Sequence, residues 1–257
     1  MPTSERSPSA ASGRHTALDL RKEARQRLIV ALDVPHARAA AELVSRLEDT
    51  CRWFKVGLQL FVAEGPTVLE PLLTRGYSIF LDLKFHDIPN TVAGAVRSAA
   101  ALGVRMMTLH AAGGPEMLKA ARAALEGLAD PPELLAVTVL TSMDRTQLEV
   151  VGVADAPAEQ VSRLARMGTE AGIRGFVCSP QEVSALRALT GPEGVLVIPG
   201  IRPAGSETGD QKRIATPAEA LRQGASYLVV GRPITQALHP AQAAEEILGE
   251  MGKALEP

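Results

Sequence analysis

Three charged residues stand where an apolar stretch ends. They are Asp82, Lys84 and Asp87, in Ser78-Ile79-Phe80-Leu81-Asp82-Leu83-Lys84-Phe85-His86-Asp87-Ile88-Pro89-Asn90-Thr91-Val92. Residues 78–83 read as a strand, along which side chains alternate between faces, so Asp82 and Lys84 point one way and Leu81 and Leu83 the other. An ammonium held charged by a neighbouring carboxylate can serve as counter-ion and proton donor to a reacting atom. The plainer alternative is a solvated strand end whose ions pair weakly. Pro89 suits the first turn of a helix through Thr91-Val92-Ala93-Gly94-Ala95-Val96. Asp87 could cap that helix as well as face the shared space.

Such groups need elements that bring further chemistry to the same place. From Leu28 onward, short Val/Ile/Leu runs alternate with amphipathic stretches of helical period. Strands are expected at Leu28–Asp33, Trp53–Val56, Ser78–Leu83, Arg105–Leu109, Leu134–Val139, Gly175–Cys178, Val195–Ile198 and Tyr227–Val230. Helices are expected at Ala37–Glu48, Gln59–Arg75, Asn90–Leu102, Pro115–Leu128, Ala158–Ala171, Pro180–Leu189, Pro217–Gln223 and Ala237–Met251. Eight strands, each followed by a helix, favour one α/β domain, a closed (β/α)8 TIM barrel, over an open sheet. Residues 1–24, with Ser4, Ser7, Ser9 and Ser12 among Pro, Gly and Arg, lack apolar periodicity and read as a disordered N-terminal tail. Residues 25–257 form the barrel domain, although Leu18–Arg27 looks helical and could lean on it.

Chemistry in a (β/α)8 barrel gathers where strands end and βα loops begin. Those positions hold Asp33 after strand 1, Lys55 in strand 2, Asp82, Lys84 and Asp87 around the end of strand 3, and Thr141-Ser142 after strand 5. Strands 7 and 8 are followed by Pro199-Gly200-Ile201-Arg202 and Gly231-Arg232. Loops after strands 7 and 8 often bind phosphate; Gly200 and Gly231 permit close backbone approach, and Arg202 and Arg232 supply planar donors. Pro203 to Arg213 is a polar loop with two glycines that reads as a lid. No comparable alternation of charge is expected on the opposite rim.

The composition excludes several other roles. Aromatic residues make up 3% of the chain and its formal charge is −2, which leaves little for base stacking or for a phosphate-backbone surface; nucleic-acid binding is disfavoured. Cys51 and Cys178 are far apart and lack zinc-ligand spacing, so neither a disulfide framework nor a metal site is expected, and a reducing cytoplasm fits. No apolar run reaches the roughly 18–20 residues of a membrane span.

Taken in order, Ala31-Leu32-Asp33-Val34-Pro35, Phe54-Lys55-Val56-Gly57, the Leu81–Val92 segment, Val139-Leu140-Thr141-Ser142, Pro199-Gly200-Ile201-Arg202-Pro203, Gly209-Asp210-Gln211-Lys212-Arg213 and Val230-Gly231-Arg232-Pro233-Ile234 carry a family resemblance. Over about residues 28–250 the chain resembles the orotidine 5'-phosphate decarboxylases of the common bacterial type. The resemblance implies cofactor-independent decarboxylation of orotidine 5'-phosphate to uridine 5'-phosphate, with Lys84 as general acid at C6. Asp82 would repel the departing carboxylate or hold Lys84 charged and positioned. Lys55 and Asp87 would complete a Lys-Asp-Lys-Asp array. The resemblance also implies a homodimer in which Asp87 to Thr91 enters the partner's active site. Asp33 and Lys55 would bond ribose hydroxyls, although an Asp ending a strand also forms turns. Thr141 and Ser142 would read the pyrimidine amide edge, Gln211 would touch phosphate and pyrimidine, and Arg202, Gly231 and Arg232 would bind the phosphate.

Two other readings stay open. One is a related decarboxylase of a 3-keto sugar phosphate, which would use the Asp-x-Lys pair around Mg²⁺. The other is a catalytically silent nucleotide-binding barrel. His86 and His110 read as satisfied residues at the barrel mouth, Met106-Met107 as core, Cys178 as unreactive, and Glu126, Glu245 and Glu246 as outer helical faces.

Overall fold

A computed structural model describes residues 16–203 and 213–256 of the chain. Eight parallel strands close into a barrel in chain order, β8 pairing back onto β1 through Leu28 opposite Leu228. They are β1 (Leu28–Ala31), β2 (Trp53–Gly57), β3 (Ser78–Phe85), β4 (Met106–His110), β5 (Glu133–Val137), β6 (Gly175–Val177), β7 (Val195–Ile198) and β8 (Tyr227–Val230). Helices α1 (Ala17–Arg27), α2 (Ala37–Leu47), α3 (Leu58–Glu64), α4 (Glu70–Thr74), α5 (Pro89–Ala101) and α6 (Gly114–Ala123) occupy the first half. The second half adds α7 (Arg145–Val150), α8 (Pro157–Glu170), α9 (Val183–Thr190), α10 (Pro217–Arg222), α11 (Arg232–Thr235) and α12 (Pro240–Ala254). The expected (β/α)8 TIM barrel is the observed fold.

Strand alternation divides the core in two. Leu28, Val30, Phe54, Ile79 and Leu81 pack outward into the helical jacket, whereas Ile29, Ala31, Trp53, Phe80, Met106, Leu135, Val197 and Val229 fill the barrel. Near the N-terminal strand ends Trp53 meets Tyr227 edge-on, ring centroids 5.4 Å apart, and closes the floor. One pleat further along, the inward rows change from apolar to polar. Trp53 is followed by Lys55, Phe80 by Asp82 and Met106 by Thr108, and all three polar residues are buried.

Several element boundaries differ from the sequence reading. β1 ends at Ala31, which puts Asp33 in the loop, and β5 and β6 end at Val137 and Val177. The helix expected over Gln59–Arg75 is two helices joined by a 3-10 turn, because Gly65 takes φ +67° and Pro66 has no N–H to continue the ladder. Helix α7 was not anticipated. Asp144 accepts from the Gln147 N–H while the Gln147 side chain accepts from the Asp144 N–H, a capping box written in the sequence.

The tail expected over residues 1–24 is too long. Residues 1–15 lie outside the described residues, but Thr16 caps α1, Leu20 and Ala24 are buried, and α1 packs against α12. The helix read over Leu18–Arg27 is α1 and does lean on the barrel, so the expected tail boundary at residue 24 falls inside that helix. At the opposite, N-terminal rim Arg187 donates to the carbonyls of Gly191, Gly194 and Gly224 and to Ser226 Oγ, tying the α9–β7 and α10–β8 loops together.

Candidate active site

The C-terminal mouth of the barrel opens into a cavity of about 540 Å³. One wall is a row of alternating ions. Lys55 Nζ lies 2.8 Å from Asp33 Oδ1 and 3.4 Å from Asp82 Oδ2, and Lys84 Nζ lies 2.8 Å from Asp82 Oδ1. The order Asp33–Lys55–Asp82–Lys84 therefore runs from the loop after β1 across β2 and β3 within one chain. Burial alone would pull the Lys55 pKa down, but Asp82 and then Asp33 outweigh it and hold the ammonium's pKa raised. Burial likewise opposes the Asp82 carboxylate, and Lys55, Lys84 and the Thr108 hydroxyl overcome it and keep its pKa lowered. Lys55 and Asp82 stay charged because of their neighbours.

Asp82 and Lys84 do share the cavity, as strand alternation requires, but the strand between them is not regular. Pairing of β3 with β4 shifts register between Leu81 and Phe85, and Lys84 sits at φ +51°, which side-chain-bearing residues rarely adopt. A bulge that re-aims a side chain is common beside active sites. Gly57, at the end of β2, leaves the Lys55–Asp33 pair its room: a Cβ there would stand 2.9 Å from Lys55 Nζ and 3.2 Å from Asp33 Oδ1.

The opposite wall is cationic. Gly200 follows β7 at φ +77°, a turn that favours glycine, and Arg202 behind it is buried and donates to the Ile201 carbonyl at 2.8 Å. Arg232 opens α11 after β8 and also lines the cavity. Burial and then the like charge of Arg232 lower the Arg202 pKa, so an anion between the two guanidiniums would be favoured. Ile201 bridges Ala215, and Arg202 N–H donates to the Ala215 carbonyl at 3.0 Å, which joins the chain on either side of residues 203–213. Arg213 pairs with buried Glu182 and donates to the Leu140 carbonyl at 3.0 Å, just before Thr141.

Of the expected site residues, Asp33, Lys55, Asp82, Lys84, Thr141, Ser142, Arg202, Gly231 and Arg232 all line this cavity. Asp87 and Thr91 do not. Both are exposed around the start of α5, outside the cavity of the single chain. Asp87 is not the helix cap either: Ile88 holds that position, and Asp87 Oδ1 accepts from the Ile88 N–H. Gln211 and most of the expected lid lie outside the described residues.

Some neighbours were read too plainly from the sequence. His110 Nδ1 has no hydrogen-bond partner among the described residues, and burial, then His86 and Lys84, lower its pKa. Cys178 lines the cavity, but burial drives its thiol pKa far up, in keeping with an unreactive group. Thr108 and Gly57 were missed as contributors. Thr108 is silent in a strand of Met, Thr and Leu, and only its meeting with β3 gives it a role.

An ion row on one wall and two guanidiniums on the other, at the C-terminal mouth of a closed barrel, define a (β/α)8-barrel enzyme. Residues 26–247 match the family described as Orotidine 5'-phosphate decarboxylase / HUMPS family. The chain belongs to that family. It is 52% identical over 238 residues to the orotidine 5'-phosphate decarboxylase of Moorella thermoacetica, spanning 90% of this chain and 94% of the relative. Identity to that of Opitutus terrae is 50% over 224 residues, 87% of this chain and 97% of the relative. The crystal structure of the Lactobacillus acidophilus enzyme superposes with a TM-score of 0.78 at 41% identity, covering 88% of this chain and 98% of that one.

Proposed function

We propose that the protein decarboxylates orotidine 5'-phosphate to uridine 5'-phosphate and CO₂, the closing step of pyrimidine nucleotide synthesis, with no cofactor. The observation that carries this reading is the pairing, in one cavity, of the Asp33–Lys55–Asp82–Lys84 row with Arg202 and Arg232. The 5'-phosphate binds between the two arginines beside Gly231, and the ribose hydroxyls bond Asp33 and Lys55. Thr141 and Ser142 meet the amide edge of the pyrimidine, and a ring lacking that edge would leave polar groups unpaired.

In this reading the C6–carboxylate bond breaks and leaves its electron pair in an in-plane orbital at C6 that the ring cannot delocalise. The Lys84 ammonium stabilises that pair and then delivers its proton to C6, the resulting amine recovering a proton from solvent. Asp82 fixes the ammonium in place, and its own charge repels the substrate carboxylate until CO₂ departs. Phosphate binding, remote from C6, drives closure through Gln211 and the loop that carries it.

The homodimer is part of the proposal. Asp87 and Thr91 are exposed, and Leu58, Val62 and Ile88 expose large apolar side chains on the same consecutive βα units. Two copies joined there would carry the Asp87 to Thr91 turn into the partner's site. The cytosol as compartment is supported by two buried, unpaired cysteines.

The test follows loss of orotidylate absorbance with purified protein. Turnover is expected without added metal and unchanged by a chelator, and Lys84→Ala should remove at least about a thousandfold of kcat while urea unfolding stays cooperative. Unchanged turnover in Lys84→Ala would end the mechanism, and loss of activity to the chelator would favour the metal-dependent sugar-phosphate reaction.

A further inference from the structure

We propose that Thr108 is a positioning residue of this site: its one hydroxyl locks the Asp82 carboxylate and the Lys84 backbone into a single geometry. The proposal rests on Lys84 being the proton donor. Thr108 lies on β4, is fully buried, and faces β3 at the register shift. Its Oγ1 lies 2.8 Å from the Lys84 backbone nitrogen and 3.0 Å from Asp82 Oδ1. A backbone N–H can only donate, so Oγ1 accepts there, and its single proton goes to the carboxylate. Asp82 Oδ1 also accepts from Lys84 Nζ at 2.8 Å.

These three bonds close a circuit from the Lys84 N–H through Thr108 and Asp82 to the Lys84 ammonium. The circuit explains two features together. Lys84 occupies φ +51°, where its N–H has left the regular β3–β4 ladder, and Thr108 supplies the acceptor that the ladder no longer provides. Asp82 is kept ionised among Lys55 on β2, Lys84 on its own strand and the Thr108 hydroxyl on β4. Asp33 reaches it through Lys55, and His86 and His110 lie on the far side, near Lys84. A misplaced ammonium is costly, because an error of about 1 Å in a reacting group can remove on the order of a hundredfold in rate.

Thr108→Val keeps shape and removes the hydroxyl, whereas Thr108→Ser keeps the hydroxyl. The expected result for Thr108→Val is a kcat lowered by about 10- to 100-fold with KM within about threefold of wild type. Thr108→Ser should stay within about threefold in both constants. The acid limb of the kcat/KM profile should move to higher pH in Thr108→Val, because Asp82 loses a hydrogen bond that favours its charged form. A merely structural Thr108 would change the unfolding midpoint in both variants and leave that limb in place. Should Thr108→Val fail to fold, Thr108→Ala is measured in the same way. Wild-type kcat in the hydroxyl-free variant, or an equal loss in Thr108→Ser, overturns the proposal. An active Lys84→Ala would instead remove the reading on which it rests, so the two failures are distinguishable.

Discussion

Asp82 is the shared counter-ion of two ammoniums, and Asp82→Asn removes its charge while preserving its size. At an effective dielectric of about 20, ions 3.4 Å apart attract by about 5 kcal/mol, and stripping one partner from a buried pair typically costs about 3–5 kcal/mol. Two features reduce the loss here. The Asn carbonyl can still accept from Thr108, and the Lys84 side chain, 29% exposed, can turn toward water. Lys55, at 11%, cannot, and it keeps only Asp33. The expected cost is therefore about 3 kcal/mol at pH 7, read as the difference in unfolding free energy from urea titrations. The pH dependence follows from the sign of the shift. The lowered Asp82 pKa contributes stability that is present above the ordinary value of 3.8 and lost as pH falls through the folded value beneath it. Lys55, with its pKa raised, contributes stability that is full below 10.5 and is lost only as pH climbs through the folded value. The gap between wild type and Asp82→Asn should be full at neutral pH and shrink below about 3.8. A gap under about 0.5 kcal/mol at pH 7, or one unchanged on the acid side, would refute the claim that buried electrostatics hold this row together.

Gly57→Ala tests the space beside the row. The Gly57 backbone, at φ −100° and ψ −174°, suits any residue, so the new methyl acts only by crowding Lys55 Nζ and Asp33 Oδ1. Steady-state assays should show kcat/KM reduced at least about tenfold with little change in stability. Arg232→Met should raise KM for the full nucleotide by about 10- to 100-fold, since a charge-assisted bond is worth about 1.5–3 kcal/mol, and should hardly affect a substrate lacking the phosphate. At the other rim, Arg187→Met removes the guanidinium donor of the Gly191, Gly194 and Gly224 carbonyls, of which Gly191 keeps the Gly194 N–H and Gly194 the Ser226 hydroxyl. It should cost about 2–3 kcal/mol in urea unfolding and leave kcat unchanged.

The cavity-lining residues were legible because period-2 alternation and strand ends locate them without coordinates: Asp82 and Lys84 face one side, and Arg202 and Arg232 follow the last two strands. The strand count was legible for a similar reason. Buried parallel strands are short apolar runs, and eight of them separate cleanly from Ala- and Glu-rich helices. What failed were features set by one or two backbone angles. Gly65 and Pro66 split a helix that hydrophobic periodicity alone would continue.

The sequence by itself determined the barrel, the charged mouth and its cationic opposite wall, because each depends on side-chain type at a fixed position along a strand. Tertiary structure decided the order in which those charges touch. Lys55 bridges Asp33 and Asp82, Lys84 stands on a left-handed residue, and an unremarkable threonine on the neighbouring strand holds both. Distances between groups on different strands depend on register, twist and local bulges, and these are set by the closed sheet as a whole rather than by any one segment.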